Sequence, residues 1–306
     1  MNEGDFITAL RAIAHHPAAR GLADDCAVLD DLVLTHDMMV AGTHFPHHAD
    51  PADVAWKLVA VNLSDLAAKG AKPIGVLLGY MLGDDAWDRA FLTGLRDALS
   101  HYGTALLGGD TVAAPRRTGG NAGDGPPALR AIGLTAIGRA SYLPVPSRSG
   151  AQTGDAIYVT GTLGAALHGF HLDAAGASEP ADALAAFRRP TPLLAEGIAL
   201  AQYVSAMMDI SDGLLLDASR MALAAQKCFA IDTAAIPLPP SLPEELRDQA
   251  LRWGDDYQLL FTLPSATACP VAATRIGTVH AAGAHPLLID GVPPAPGQSL
   301  GWQHGI

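Results

Sequence analysis

Residues 206–217 read AMMDISDGLLLD, an apolar run, then two aspartates and a serine, then a second apolar run. The first run is short enough for a buried strand, and the second continues as GLLLDASRMAL with apolar positions at helical spacing. A strand that hands over to a helix through Asp209, Ser211 and Asp212 is a unit of α/β architecture. A turn needs about one such residue, so three of them point to a ligand as well as to a turn.

The same arrangement recurs along the chain. Acidic residues abut apolar segments in LADDCAVL (Asp24, Asp25), LTHDMMVAGTHF (Asp37), VNLSDLAAKGAKP (Asp65), LLGGDTV (Asp110) and WGDDYQLLF (Asp255, Asp256). Ligands of α/β proteins gather where strands end, and hard cations such as Mg²⁺ favour carboxylate oxygens. Any single aspartate is as readily a turn or N-cap residue. The number of repetitions favours a multi-metal cradle for phosphates, and Asp65, inside an apolar helical stretch, needs a partner to be there at all.

Periodicity places the other elements. Residues 5–14 read as a helix, 26–36 as strand with a turn at Asp30 and Asp31, and 51–73 as a long helix stopped by Gly70 and Pro73. A strand (IGVLLGYML), a helix capped by Asp84 or Asp85, and strands at TALLGGD and LRAIGLTAIGRA follow. The Gly/Pro-rich stretch 114–128 reads as a surface loop. The second half reads as strand (AIYVT), helices over 164–203, strand (SAMMDI), helix from Asp212, strand (CFAID), a helix near 242–251 and strands at YQLLFTL and ATRIGTV. Punctuation in SYLPVPSRSGAQTGD divides the chain into domains of residues 1–147 and 148–306.

With 306 residues, 49% hydrophobic and 16% charged, the chain has material for two sizeable cores. A formal charge of −12 argues against broad nucleic-acid binding, yet suits polyphosphates bridged by divalent cations. Cys26, Cys228 and Cys269 fall in no zinc or disulfide spacing, which fits a reducing, cytoplasmic setting. No signal peptide and no membrane-spanning apolar run are read. Neither GxxxxGK[ST] nor GxGxxG occurs, so a phosphate site has to rest on metals, backbone amides and arginines. By composition alone, His44 and Trp302 are packing or surface residues.

Taken in order, GLADDCAVL, LTHDMMVAGTHF, WKLVAVNLSDLAAKGAKP, LLGGDTV, RSGAQTGDAIYVTGTLG, RRPTP, MMDISDGLLLDA, GDDYQLLFT and the terminal GWQHG resemble the thiamine-monophosphate kinases, within the superfamily of aminoimidazole ribotide synthetase. The resemblance spans nearly the whole chain. It implies the two-domain aminoimidazole ribotide synthetase-like fold, α/β (α+β) in class, with the N-terminal sheet at a homodimer interface and a C-terminal α/β domain. It implies transfer of the γ-phosphate of ATP to thiamine monophosphate.

Carried over to matching positions, the resemblance makes Asp25, Thr35, Asp37, Asp65, Asp110, Asp209 and Asp212 Mg²⁺ ligands, with Asp65, Asp110 and Asp212 central to catalysis. Gly109, Asp110, Arg148 and Ser211 meet ATP, while His44, Asp255 and Trp302 meet the thiamine substrate. Position 36 is His where the family usually has a small hydroxyl residue, so a backbone carbonyl is the metal ligand expected of His36. Position 255 is Asp where Glu is usual. The competing readings are another ATP-dependent synthetase of the superfamily and a non-catalytic Mg-nucleotide-binding protein. The latter predicts missing aspartates, and none is missing.

Overall fold

The computed structural model describes residues 3–113 and 130–303. The stretch 114–128 expected to be a loop lies outside the described residues. The first part holds α1 (Glu3–Arg11), β1 (Ala27–Leu29), β2 (Leu32–Val40), α2 (Pro51–Ala68), β3 (Ala71–Leu82), α3 (Asp85–His101), β4 (Ala105–Ala113) and β5 (Ala131–Ala140). Its five strands form one sheet in the order β1-β2-β5-β3-β4. Asp30, at φ 56°, makes the β1–β2 turn read from the sequence.

Strand β3 pairs antiparallel with β5 and parallel with β4, the latter across α3 as a crossover helix. Asp84 caps α3 by accepting from the Trp87 N–H at 2.9 Å. Helix α2 begins one residue after its cap Asp50, with Pro51 at the first turn where a missing N–H costs nothing. It packs with α3 on the sheet, burying Leu58, Val59, Leu63 and Leu66 against Phe91, Leu95 and the β2, β3 and β5 side chains. Gly70, at φ 59°, ends the helix as read, but Pro73 sits inside β3, where the pairing with β5 shifts register between Pro73 and Gly75.

The second part holds β6 (Ala156–Thr160), α4 (Ala165–Ala174), α5 (Ala181–Arg188), α6 (Leu194–Leu200), β7 (Ala206–Asp209), α7 (Leu214–Ala225), β8 (Cys228–Ile231), α8 (Arg247–Ala250), β9 (Leu259–Leu263), β10 (Ala273–His280) and β11 (Leu287–Ile289). Its six strands are ordered β11-β8-β10-β6-β9-β7. The helix expected near 242–251 is a 3-10 turn at Glu244–Leu246, starting directly after Pro243, followed by the four residues of α8. Strand β11 lay below the reach of periodicity at three residues.

The second sheet packs on the C-terminal end of α2, which forms the seam between the two parts. Ala67 and Ala68 pack into one cluster with Leu200 of α6, Met207 of β7, and Leu259, Phe261 and Leu263 of β9. That helix therefore belongs to both cores, with its C-terminal turn at the seam. Among the described residues no helix is long and apolar enough to cross a membrane.

Candidate active site

Three carboxylates converge at this seam. Asp25 from the loop before β1, Asp65 from α2 and Asp209 from the end of β7 present oxygens that all lie within 4.8 Å of one another. Three like charges so close are unfavourable by themselves, and burial adds to the cost. Burial, then Asp37, Asp209 and Asp25, push the Asp65 carboxyl well above its ordinary range. Burial, then Asp25, push Asp209 up to about 8, against a hydrogen bond from the Ser64 hydroxyl at 2.5 Å. Burial, then Asp212 and Asp25, push Asp37 up to about 6. Five of the expected aspartates thus share one electrostatic neighbourhood, and an all-oxygen donor set of this kind fits hard divalent cations.

Strand alternation sorts β2. Thr35 is buried and its hydroxyl donates to Asp65, and Asp37 accompanies it on the inner face, its N–H donating to the Asn62 side chain at 3.1 Å. His36 points to the opposite, exposed face and pairs with the Thr135 hydroxyl at 2.9 Å. Its imidazole is therefore directed away from the carboxylates.

Asp110 lies outside the group of three, on the exposed edge strand β4 opposite Gly79. Gly109 has a local reason to be glycine, since a Cβ there would sit 1.9 Å from the Leu78 carbonyl oxygen of the neighbouring strand.

The residues drawn from the second domain are laced together by main chain. Ile210, Ser211 and Asp212 lie between β7 and α7, and their carbonyls accept from Tyr257, Asp255 and Trp302 N–H groups, each at 2.9 Å. A Cβ on Gly254 would come within 2.1 Å of the Ser211 carbonyl, so only glycine allows this approach. Asp255 and Tyr257 are held at φ 67° and 49°, a strained region for such residues and a common mark of functional loops. Asp212 does not cap α7, whose first flanking residue is Gly213. Instead its carboxylate pairs with Arg220.

Buried Asp217 lies beneath the Asp209–Gly213 turn and accepts from the Ser211 and Asp212 N–H groups at 3.1 and 3.0 Å. Although it stands in the opening stretch, sequence reading assigned it nothing. Asp256 is likewise structural, accepting from the Gly164 N–H at 2.9 Å ahead of α4. Replacing it by Ala should cost about 2 kcal/mol in chemical denaturation, the loss of a buried cap.

Arg148, in the 3-10 turn Arg148–Gly150 that precedes β6, reaches back to Asp25 with Nε at 2.7 Å. Beside the seam, a cavity of about 230 Å³ is lined by His44, His48, Asp53, Lys57, Phe187 and Arg188. Lys57 Nζ donates to Asp255 at 2.7 Å, and the Tyr257 hydroxyl donates to the same carboxylate at 2.9 Å. His44 Nδ1 accepts from the Val40 N–H at 3.0 Å, which orients the ring. Trp302 leaves 49% of its surface exposed at the Asp212 end of the turn. Larger cavities of about 600 and 590 Å³ lie in the second domain and include none of the expected residues. Chemistry, rather than volume, selects the seam.

Known proteins match both halves. The AIR synthase related protein N-terminal domain model matches residues 23–140, and the corresponding C-terminal domain model matches residues 152–284. Thiamine-monophosphate kinase of Escherichia coli strain K12 is 37% identical over 276 residues, covering 84% of this chain and 81% of that protein. The structure of AaThiL complexed with AMPPCP and TMP aligns with a TM-score of 0.86 at 27% identity, over 99% of this chain and 97% of that one. Thiamine-monophosphate kinase from Stenotrophomonas maltophilia K279a aligns with a TM-score of 0.74 at 32% identity, over 95% and 96% of the two chains. Matched across both sheets and the seam between them, the chain belongs to the thiamine-monophosphate kinase family.

Proposed function

We propose that the protein transfers the γ-phosphoryl group of ATP directly to the phosphate of thiamine monophosphate, giving thiamine diphosphate and ADP as the last step of thiamine diphosphate synthesis. The observation that carries this reading is the convergence of Asp25, Asp65 and Asp209, from both domains, beside the cavity lined by His44 and by Lys57, whose ammonium donates to Asp255. A bond forms between an acceptor phosphate oxygen and the γ-phosphorus, and the bond from that phosphorus to the β–γ bridging oxygen breaks. The acceptor oxygen is already anionic near neutral pH, so no strong general base is required. The difficulty is to bring two anions into line.

Asp25, Asp65 and Asp209, with Asp37, Asp212 and the main-chain carbonyl of His36, would hold Mg²⁺, and Thr35 orients Asp65 for that role. Bound Mg²⁺ supplies the positive charge that offsets repulsion between the two phosphates. Arg148 and Ser211 serve the nucleotide, and Gly109 and Asp110 serve it from the edge strand. The amino end of α7 adds favourable potential for an anion. His44, Asp255 and Trp302 hold the thiamine moiety, Asp255 accepting from the aminopyrimidine and Trp302 stacking on a ring of the substrate. The domains divide between residues 147 and 148, which makes Arg148 a contact across them.

The outer face of the first sheet exposes Met38, Leu77 and Val112, an apolar surface that supports a homodimer formed through this sheet. A cytoplasmic location accords with three free cysteines.

The test is a chromatographic end-point assay with ATP, Mg²⁺ and either thiamine monophosphate or free thiamine. Thiamine diphosphate from the monophosphate alone is the expected outcome. ATP binding without either product would overturn the reading. Trp302→Ala should raise KM for thiamine monophosphate roughly tenfold, the loss of about 1.4 kcal/mol of stacking, with kcat within twofold. An unchanged KM in steady-state kinetics would remove Trp302 from the site.

A further inference from the structure

Lys69 closes α2, and none of its side chain reaches solvent. Nζ forms ion pairs with Asp24 Oδ1 and Asp25 Oδ2, each at 2.5 Å, and donates to the Met207 carbonyl oxygen at 3.0 Å. One ammonium therefore joins the end of α2, the loop that carries Asp25, and strand β7 two residues before Asp209. Burial opposes its charge, but Asp25 and Asp24 outweigh burial and hold it protonated. Sequence reading passed over this lysine, since KG after an apolar helix is an ordinary stop.

Asp25 has a cation on each oxygen, Lys69 on Oδ2 and Arg148 on Oδ1. The two are not equivalent. Arg148 retains 18% side-chain exposure and stands at the domain boundary, where a bound anion can draw it off. Lys69 has no solvent route and a main-chain acceptor besides, so it stays. A fixed positive charge touching one proposed metal ligand both orients that carboxylate and lowers the negative potential the cluster offers to a cation.

We propose that Lys69 is a positioning residue for Asp25 whose buried charge sets how tightly the carboxylate cluster holds a divalent cation. This rests on the metal reading of Asp25, Asp65 and Asp209 given above. Asp24 modulates the effect, because it shares the charge of Lys69 with Asp25 and is itself tied to Arg20 at 2.6 Å.

The experiment is calorimetric titration of Mn²⁺ alone into the full-length protein, with thermal unfolding followed in parallel. Lys69→Met should tighten Mn²⁺ binding about tenfold, and Lys69→Arg, which keeps the positive charge, should leave it within about twofold. Dependence on charge separates this role from a structural one. A lysine that only braces the fold would lower the melting temperature while leaving Mn²⁺ affinity alone. Should Lys69→Met fail to fold, Lys69→Gln decides by itself, since it removes the charge while keeping a donor for the Met207 carbonyl. Affinities of the charge-neutral variants within twofold of wild type, or weaker than wild type, overturn the inference while wild-type binding leaves the metal reading standing. Absence of Mn²⁺ binding by the wild-type protein overturns both.

Discussion

Asp65→Asn is expected to lower kcat about 10³-fold, the scale of removing one preorganised electrostatic group, while the purified variant melts at or above the wild-type temperature in metal-free buffer. The two halves of that expectation have the same origin. Asp65 is forced into its place by α2, where burial and then the charges of Asp37, Asp209 and Asp25 disfavour its ionised form. Asparagine keeps the shape and an oxygen for the Thr35 hydroxyl, and it removes the repulsion. Loss of a charge that the fold resists cannot weaken the fold much, but it removes a ligand that the reaction needs. Steady-state kinetics and scanning calorimetry on the same preparation check both halves. A folded Asp65→Asn enzyme with near-normal kcat would dismiss the cluster as the catalytic centre.

Asp217→Ala should do the reverse, damaging structure and activity together. Its carboxylate accepts from the Ser211 and Asp212 N–H groups and from Arg220 at 3.3 Å, all beneath the turn that carries Asp209 and Asp212. Removing it strands two backbone donors, at about 3 kcal/mol, and frees the turn. A kcat loss on the order of 100-fold follows from misplacing residues that have to act in concert. Asp217→Asn keeps an acceptor for the amides. Burial, then Asp212, already push the native carboxyl up to about 7, so this variant should retain most of the stability. Denaturant unfolding of both variants gives the answer, and equal losses in Ala and Asn would mean that charge, rather than the accepted N–H groups, is what matters.

Elements with many periods were legible in the sequence. Helix α2 and strands β3 to β6 declared themselves, and so did the strand-turn-helix around Asp209, because side-chain periodicity is a local property. What stayed hidden was contact across distance. Lys57 meets Asp255 across 198 residues and Lys69 meets Met207 across 138, and no local pattern reports either pairing. His36 is different, since the period of two that makes β2 a strand already separates it from Thr35 and Asp37. Asp110 shows the opposite limit: an apolar run announces a strand but not whether that strand lies at the edge of its sheet.

Helix α2 carries Lys57 to the cavity, Ser64 to Asp209, Asp65 to the cluster, and Lys69 to Asp25 and the second sheet. These four side chains share one screw axis, and their phases are set by counting residues. A single residue inserted between Lys57 and Ser64 would turn everything beyond it through about 100° and slide it by about 1.5 Å. No rotamer change recovers such an error. Insertions in surface loops cost the chain little, but the number of residues in this helix is as much a part of the chemistry as the identity of its aspartate.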